Sequence, residues 1–290
     1  MGAAVSAEPL IANRSLRVAR DGEAPPDFLP RLRFRPRSGD GRPAAWIEDP
    51  ATAVLLPVPL DDEAAPVVEA LEPGRPPRAL IAPPLRSALQ AASILVGRDF
   101  ETTRRAAWKG AAGRARAAFR RHGCATLPPL LPSPFVAALA AHIRGRIAGG
   151  GIKLGDRQCP RRYALHNDRL ARFIHHQLTP AVSAVAGEPL KPSYVYMASY
   201  VEGAELHRHR DRAQCEVSVS FLVDFTAGAP PWPLKLDTRA GTVAVEQRPG
   251  DALLYRGCDL PHYRDPLPAG CTSTSLFLHY VPVAFAGDLR

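Results

Sequence analysis

Residues 200–211 read Tyr-Val-Glu-Gly-Ala-Glu-Leu-His-Arg-His-Arg-Asp, and the pair His209 and Asp211 at the end of this stretch decides the fold. The run before it, 193–201, alternates as a strand does, Gly203 turns the chain, and 215–225 (Cys-Glu-Val-Ser-Val-Ser-Phe-Leu-Val-Asp-Phe) alternates again. A strand sends residues i and i+2 to one face, so His209 and Asp211 can point together into a β-barrel. His262 follows 51 residues after Asp211, just past Gly-Asp-Ala-Leu-Leu-Tyr at 250–255. Two imidazoles and one carboxylate leave about three positions open on a six-coordinate iron(II), which is what oxygen chemistry needs. The short motif alone discriminates little, since His166-Asn167-Asp168 is a second copy. Context separates them: His166 stands before a helical pattern, where Asn167 or Asp168 reads as an N-cap.

On Tyr200-x2-Gly203-x5-His209-x-Asp211, then Gly250-Asp251-Ala-Leu-Leu-Tyr255, then His262, the chain resembles the Fe(II)/2-oxoglutarate-dependent oxygenases, in their prolyl-4-hydroxylase-like branch. The resemblance spans residues 115–283. It implies Fe(II) held by His209, Asp211 and His262, with 2-oxoglutarate as cosubstrate and O2 as oxidant. The reaction it implies is hydroxylation of a peptide or protein side chain, or of an amino-acid-like small molecule. Tyr200 matches the tyrosine that helps hold the cosubstrate.

One element of that pattern is missing. The family places a Lys or Arg ten to a dozen residues after the distal His, but 271–275 reads Cys-Thr-Ser-Thr-Ser. By strand parity Ser273 and Ser275 face inward and can hydrogen-bond the ligand. A buried, unpaired carboxylate costs several kcal/mol, so a base must come from elsewhere. Arg264, two residues past His262, shares its face and ranks first; Arg256 on the preceding strand is second and Lys235 third. Two other classes stay open. A 2-oxoglutarate-independent non-haem iron oxygenase is favoured by the missing base. A non-catalytic, metal-stabilised jelly-roll binding module is disfavoured by three inward ligands.

The expected fold class is α+β. A double-stranded β-helix (jelly-roll) domain with flanking helices occupies 123–290, with strands at 193–201, 206–210, 215–225, 232–237, 242–247, 251–256, 260–264 and 273–282. Helices are expected from Ser133-Pro134, read as N-cap and N1 proline, and over 168–186, where His175 and His176 read as core or surface residues; Arg157, Arg161 and Arg162 fall in a loop. Residues 1–30 read as a mobile N-terminal segment, and 98–122 as a basic linking helix. Between them, 31–97 is a small winged-helix-like α/β domain: Arg31-Leu-Arg-Phe-Arg alternates, a hairpin turns at Asp49-Pro50, and helices follow at 62–71 and 83–92. Similar domains grip the leader of a precursor peptide as an added edge strand, so a precursor peptide is an expected partner; the alternative is a plain structural extension.

Composition narrows the classes further. With 37 basic against 28 acidic residues the net charge is +9, which permits an acidic or peptide partner without demanding nucleic acid. No apolar run reaches 18 residues, so no membrane partner is expected. Five Cys without a C-x-x-C pair read as reduced thiols of a cytoplasmic protein.

Overall fold

The structure is a computed structural model that describes residues 9–20, 23–34 and 42–289. The chain divides into two units, Met1–Lys109 and Gly110–Arg290. The first contains β1 (Ile11–Ala12), β2 (Arg17–Ala19), β3 (Ala44–Glu48), β4 (Leu55–Pro59), α1 (Ala64–Glu69), α2 (Pro83–Ala91) and β5 (Leu95–Val96). Strands β2, β3 and β4 form an antiparallel sheet in that order, and β1 pairs with β5. The β3–β4 hairpin turns at Asp49, whose Oδ1 accepts from the amides of Ala51 and Thr52 at 2.9 and 2.8 Å. Prolines at the first positions of α2 pre-set φ where no amide partner exists.

Two expectations are corrected in this unit. Residues 1–8 and 21–22 of the supposed lead-in lie outside the described residues, but Ile11, Leu16 and Phe28 are buried and Arg17–Ala19 joins the sheet. Strands of two and three residues are too short to show a period. The alternation from Arg31 to Phe34 is also no strand: Leu29–Arg31 is a 3-10 turn with Pro30 at its start. Arg31 instead forks onto Glu48 at 2.7 and 3.1 Å. Arg35 lies outside the described residues.

The basic helix forms as α3 (Phe100–His122), which carries the boundary between the units. Trp108, Ala112, Ala115 and Phe119 are its buried stripe at helical spacing.

The second unit continues with β6 (Cys124–Leu127), α4 (Ser133–Ala148), β7 (Arg162–His166), α5 (Arg169–Ala186), β8 (Leu190–Val201), β9 (Leu206–His209), β10 (Val217–Phe225), β11 (Leu234–Thr238), β12 (Gly241–Val245), β13 (Ala252–Tyr255), β14 (His262–Arg264) and β15 (Thr272–Pro282). Two antiparallel sheets result, ordered β6-β13-β10-β15-β8-β7 and β12-β11-β14-β9. This is a jelly roll, and each of the eight strands expected after residue 191 is present. Strand β7 stands where a loop was expected.

Helix α4 packs on β10 and α5 on β8, covering the outer face of the larger sheet. Ser133 makes no capping hydrogen bond; Pro132 holds the N-cap position of α4. Asp168 does cap α5, accepting from the amides of Leu170 and Ala171 at 2.9 and 3.2 Å, and Gly187 ends it at φ 84°. His175 is core: its Nε2 donates to the His279 carbonyl at 2.8 Å. All five cysteines are free, and no helix among the described residues is long and apolar enough to cross a membrane.

Asp168 also pairs with Arg146 at 3.2 Å. Burial pushes its pKa up, but His142 and the two amides outweigh that and leave it lowered. Asp168→Ala should therefore cost about 0.5–2 kcal/mol, read as a lower denaturation midpoint. A lowered folded pKa makes the contribution complete above the ordinary carboxylate range and lost as pH falls through the folded value. The gap between wild type and variant should shrink on acidification; a gap constant down to strongly acid pH would contradict the ionic part of the cap.

Candidate metal centre

Strand β14 pairs antiparallel with β9 so that His262 stands opposite His209. Their rings lie side by side, centroids 4.3 Å apart. Asp211 follows β9 by two residues and sets Oδ1 3.7 Å from His209 Nε2 and 3.6 Å from His262 Nε2. Each ring uses its other nitrogen on a carbonyl: His209 Nδ1 on His207 O at 2.8 Å, and His262 Nδ1 on Leu260 O at 2.9 Å. A carbonyl only accepts, so Nδ1 carries the proton and each Nε2 lone pair is free for a metal. Burial lowers the His262 pKa and so favours that neutral form. One nitrogen from each His and one Asp211 oxygen thus converge within 4.8 Å.

Asp211 is fixed from behind. Its amide donates to Gly257 O at 2.9 Å, and its Oδ2 accepts from Ser218 Oγ at 3.1 Å. The Ser218 hydroxyl in turn accepts from His279 Nδ1 at 2.8 Å. Burial drives the His279 pKa down to about 4, so it stays a neutral donor. Gly257 is obligatory on steric grounds: a Cβ there would stand 2.3 Å from Asp211 Oδ2 and 2.5 Å from Cys215 O. Asp211, Cys215 and His279 also cluster, but burial, with Asp211 nearby, pushes the Cys215 thiol up to about 12. A thiol held protonated is a poor metal ligand.

The three residues sit on the wall of a cavity of about 500 Å3 inside the barrel, lined also by Tyr194, Tyr196, Tyr200, Tyr255, Phe277 and His279. Tyr200 is fully buried on β8, opposite Ser273 of β15. Ser275, opposite Ala198, is buried too, and both serines share a face with Phe277 and His279. Ser273 Oγ has no hydrogen-bond partner.

Arg264 is buried, its guanidinium 4.7 Å over the Trp232 ring, which meets Tyr200 edge-on at 5.1 Å. It donates to the Trp232 carbonyl and, at 3.4 Å, to Gln247 Oε1, while its Nε has no partner. Burial lowers its pKa to about 10, so it remains a cation at neutral pH.

The other two candidate bases are corrected. Arg256 follows Tyr255, whose side chain fills the cavity wall, so alternation turns it outward, 5.0 Å over Phe119. Lys235 pairs with Asp265 at 2.5 Å outside the barrel. Among the guanidinium groups that do line the cavity, Arg162 on β7, opposite Tyr200, is the buried one. Asp156 already holds it through two bonds of 2.6 and 3.0 Å, and Gln158 through a third of 2.8 Å. Sequence reasoning missed Arg162, Ser218 and Gly257. Only the parity of Ser218 in its alternating strand was there to be read.

Neither a protein-family model nor a curated protein sequence matches this chain. Among solved structures it is similar to SnoN, a non-haem alpha-ketoglutarate-dependent epimerase from nogalamycin biosynthesis, with 16% identity over 60% of this chain and 83% of that one and a TM-score of 0.52. SnoN with Fe3+, alpha ketoglutarate and nogalamycin RO gives 15% identity over 63% and 94%, TM-score 0.51. A Pseudomonas putida prolyl-4-hydroxylase gives 21% identity over 59% and 98%, TM-score 0.48. The fold is thus the jelly roll found among Fe(II)/2-oxoglutarate-dependent oxygenases.

Gly257→Ala should weaken binding of a divalent probe such as Co(II) at least tenfold, with the far-ultraviolet circular dichroism unchanged. His209→Ala and His262→Ala should lose the site. Co(II) affinity unchanged in all three variants would rule the centre out.

Proposed function

We propose that this chain is an Fe(II)/2-oxoglutarate-dependent oxygenase that hydroxylates a peptide or protein side chain, or an amino-acid-like small molecule. The observation that carries this is the N,N,O donor set on a cavity wall, with both Nδ1 atoms tied to carbonyls and both Nε2 atoms free. His209, Asp211 and His262 hold the iron, which with 2-oxoglutarate and O2 supplies the oxidising power for attack on a C–H bond.

Behind Tyr200 of the cavity wall lies a group that suits a dicarboxylate. Arg264 is a buried cation without a carboxylate partner among the described residues, and its Nε and Ser273 Oγ are both unsatisfied. Such groups are costly unless a ligand meets them. Arg264 Nε, Ser273 and Tyr200 receive the far carboxylate of 2-oxoglutarate, with Ser275 beside them. This favours the cosubstrate-dependent reading over a 2-oxoglutarate-independent oxygenase. A purely structural jelly roll would leave both the cavity and the cation without a purpose.

In the same reading the N-terminal unit presents the substrate, a precursor peptide adding itself as a strand beside β2. Strand β4, at the other edge, carries Pro57 and Pro59, which cannot donate hydrogen bonds. Five free thiols suit a reducing, cytoplasmic setting.

In Mn(II)-loaded protein, Arg264→Ala should weaken 2-oxoglutarate binding by about 2–5 kcal/mol, as measured by calorimetric titration. Arg264→Lys should also bind more weakly, since an ammonium cannot reproduce a guanidinium fork. Normal affinity in Arg264→Ala would transfer the role to Arg162, the other buried guanidinium among the described residues.

A further inference from the structure

Four arginines line the cavity, Arg157, Arg162, Arg210 and Arg212, against two carboxylates, Asp156 and Asp211. Both carboxylates are committed. Asp156 takes two bonds from Arg162 and a third from Tyr196 Oη at 2.8 Å. Asp211 belongs to the donor triad. Arg157, Arg210 and Arg212 form no ion pair with a carboxylate among the described residues.

Loading the centre does not remove this excess. A divalent metal adds two positive charges, the 2-oxoglutarate dianion removes two, and Arg264 is the base set aside for that dianion. Three positive charges at the mouth persist, and a cleft lined by one sign of charge concentrates the opposite sign.

Arg212 is also held in place. Its guanidinium lies 4.7 Å over the Tyr194 ring, and its Nε donates to Tyr194 Oη at 3.3 Å. A stacked guanidinium loses less freedom on binding than a free one, and its planar fork matches an oxyanion. His166 stands beside it, its ring 5.7 Å from that of Tyr194 and 4.6 Å from that of Tyr196. Burial, then Arg212 and Arg162, lowers its pKa, and Asp156 offsets this only in part.

We propose that the cavity mouth is a subsite for an oxyanion on the substrate, a carboxylate or a phosphoryl group, gripped by Arg212 with Arg157 and Arg210 around it. The proposal rests on reading this cavity as the active site. It names the substrate class as anionic, and it makes Arg212 the residue that sets this specificity.

The test is nuclear magnetic resonance of the arginine Nε–H signals of the full chain, loaded with Zn(II). The probes are N-acetylglutamate, inorganic phosphate and the neutral control N-acetylglutaminamide, in which both carboxyl groups are amides. The Arg212 signal is identified by its absence in Arg212→Gln. Saturable shifts of that signal with N-acetylglutamate assign a carboxylate, and with phosphate a phosphoryl group; N-acetylglutaminamide should give none. Arg212→Gln should raise the dissociation constant of the effective probe at least tenfold, as read from the other perturbed signals. Saturating 2-oxoglutarate should not displace that probe from the wild type. No shift with either anion, equal shifts with the neutral control, or displacement by 2-oxoglutarate would overturn the proposal. The calorimetric titration of 2-oxoglutarate tests the cosubstrate reading separately, so the two can fail independently.

Discussion

His209 and His262 meet across one rung of an antiparallel ladder, and the chemistry proposed for this chain depends on that register. A slip of one residue would turn one imidazole out of the barrel. Each ring is locked by a short bond from Nδ1 to a carbonyl two residues before it. The backbone thus chooses the tautomer as well as the position. Asp211 lies off the end of its strand and needs other support, which Gly257, Ser218 and His279 provide.

The second unit treats two buried guanidinium groups differently, Arg162 on the cavity wall and Arg264 behind Tyr200 and Trp232. Arg162 is neutralised by Asp156, which the same contacts keep ionised: burial raises the carboxylate pKa, but Arg162 and nearby amides lower it more. Arg264 has only neutral oxygen acceptors and an aromatic face. One buried cation thus has a full partner, while the other keeps an Nε with no hydrogen bond, which is costly unless a ligand meets it.

Much of this was legible in the sequence because barrel strands bury one face. The alternation over 215–225 located β10, and the spacing of Tyr200, Gly203, His209, Asp211 and His262 pointed to the site. Parity also put Arg264 on the face of β14 that carries His262, and Arg264 is buried. Strand β7 was not legible: its inward residues Arg162 and His166 are polar because they face the cavity, which erases the apolar period. Gly257 looks like any loop glycine until Asp211 is seen against it. The N-terminal strands β1 and β2 are too short to announce themselves, and Pro30 turns an alternating run into a 3-10 turn. Arg256 shows the limit of counting to a strand end, since it lies one residue beyond β13 on the opposite parity from Tyr255.

The central claim is that this donor set binds iron with an open edge for a chelating 2-oxo acid. Anaerobic addition of Fe(II) and 2-oxoglutarate to the purified protein tests it most directly. The account predicts a visible charge-transfer band that needs both additions, saturates at one of each per chain, and is absent in His209→Ala. Iron and 2-oxoglutarate that both bind without producing the band would contradict it.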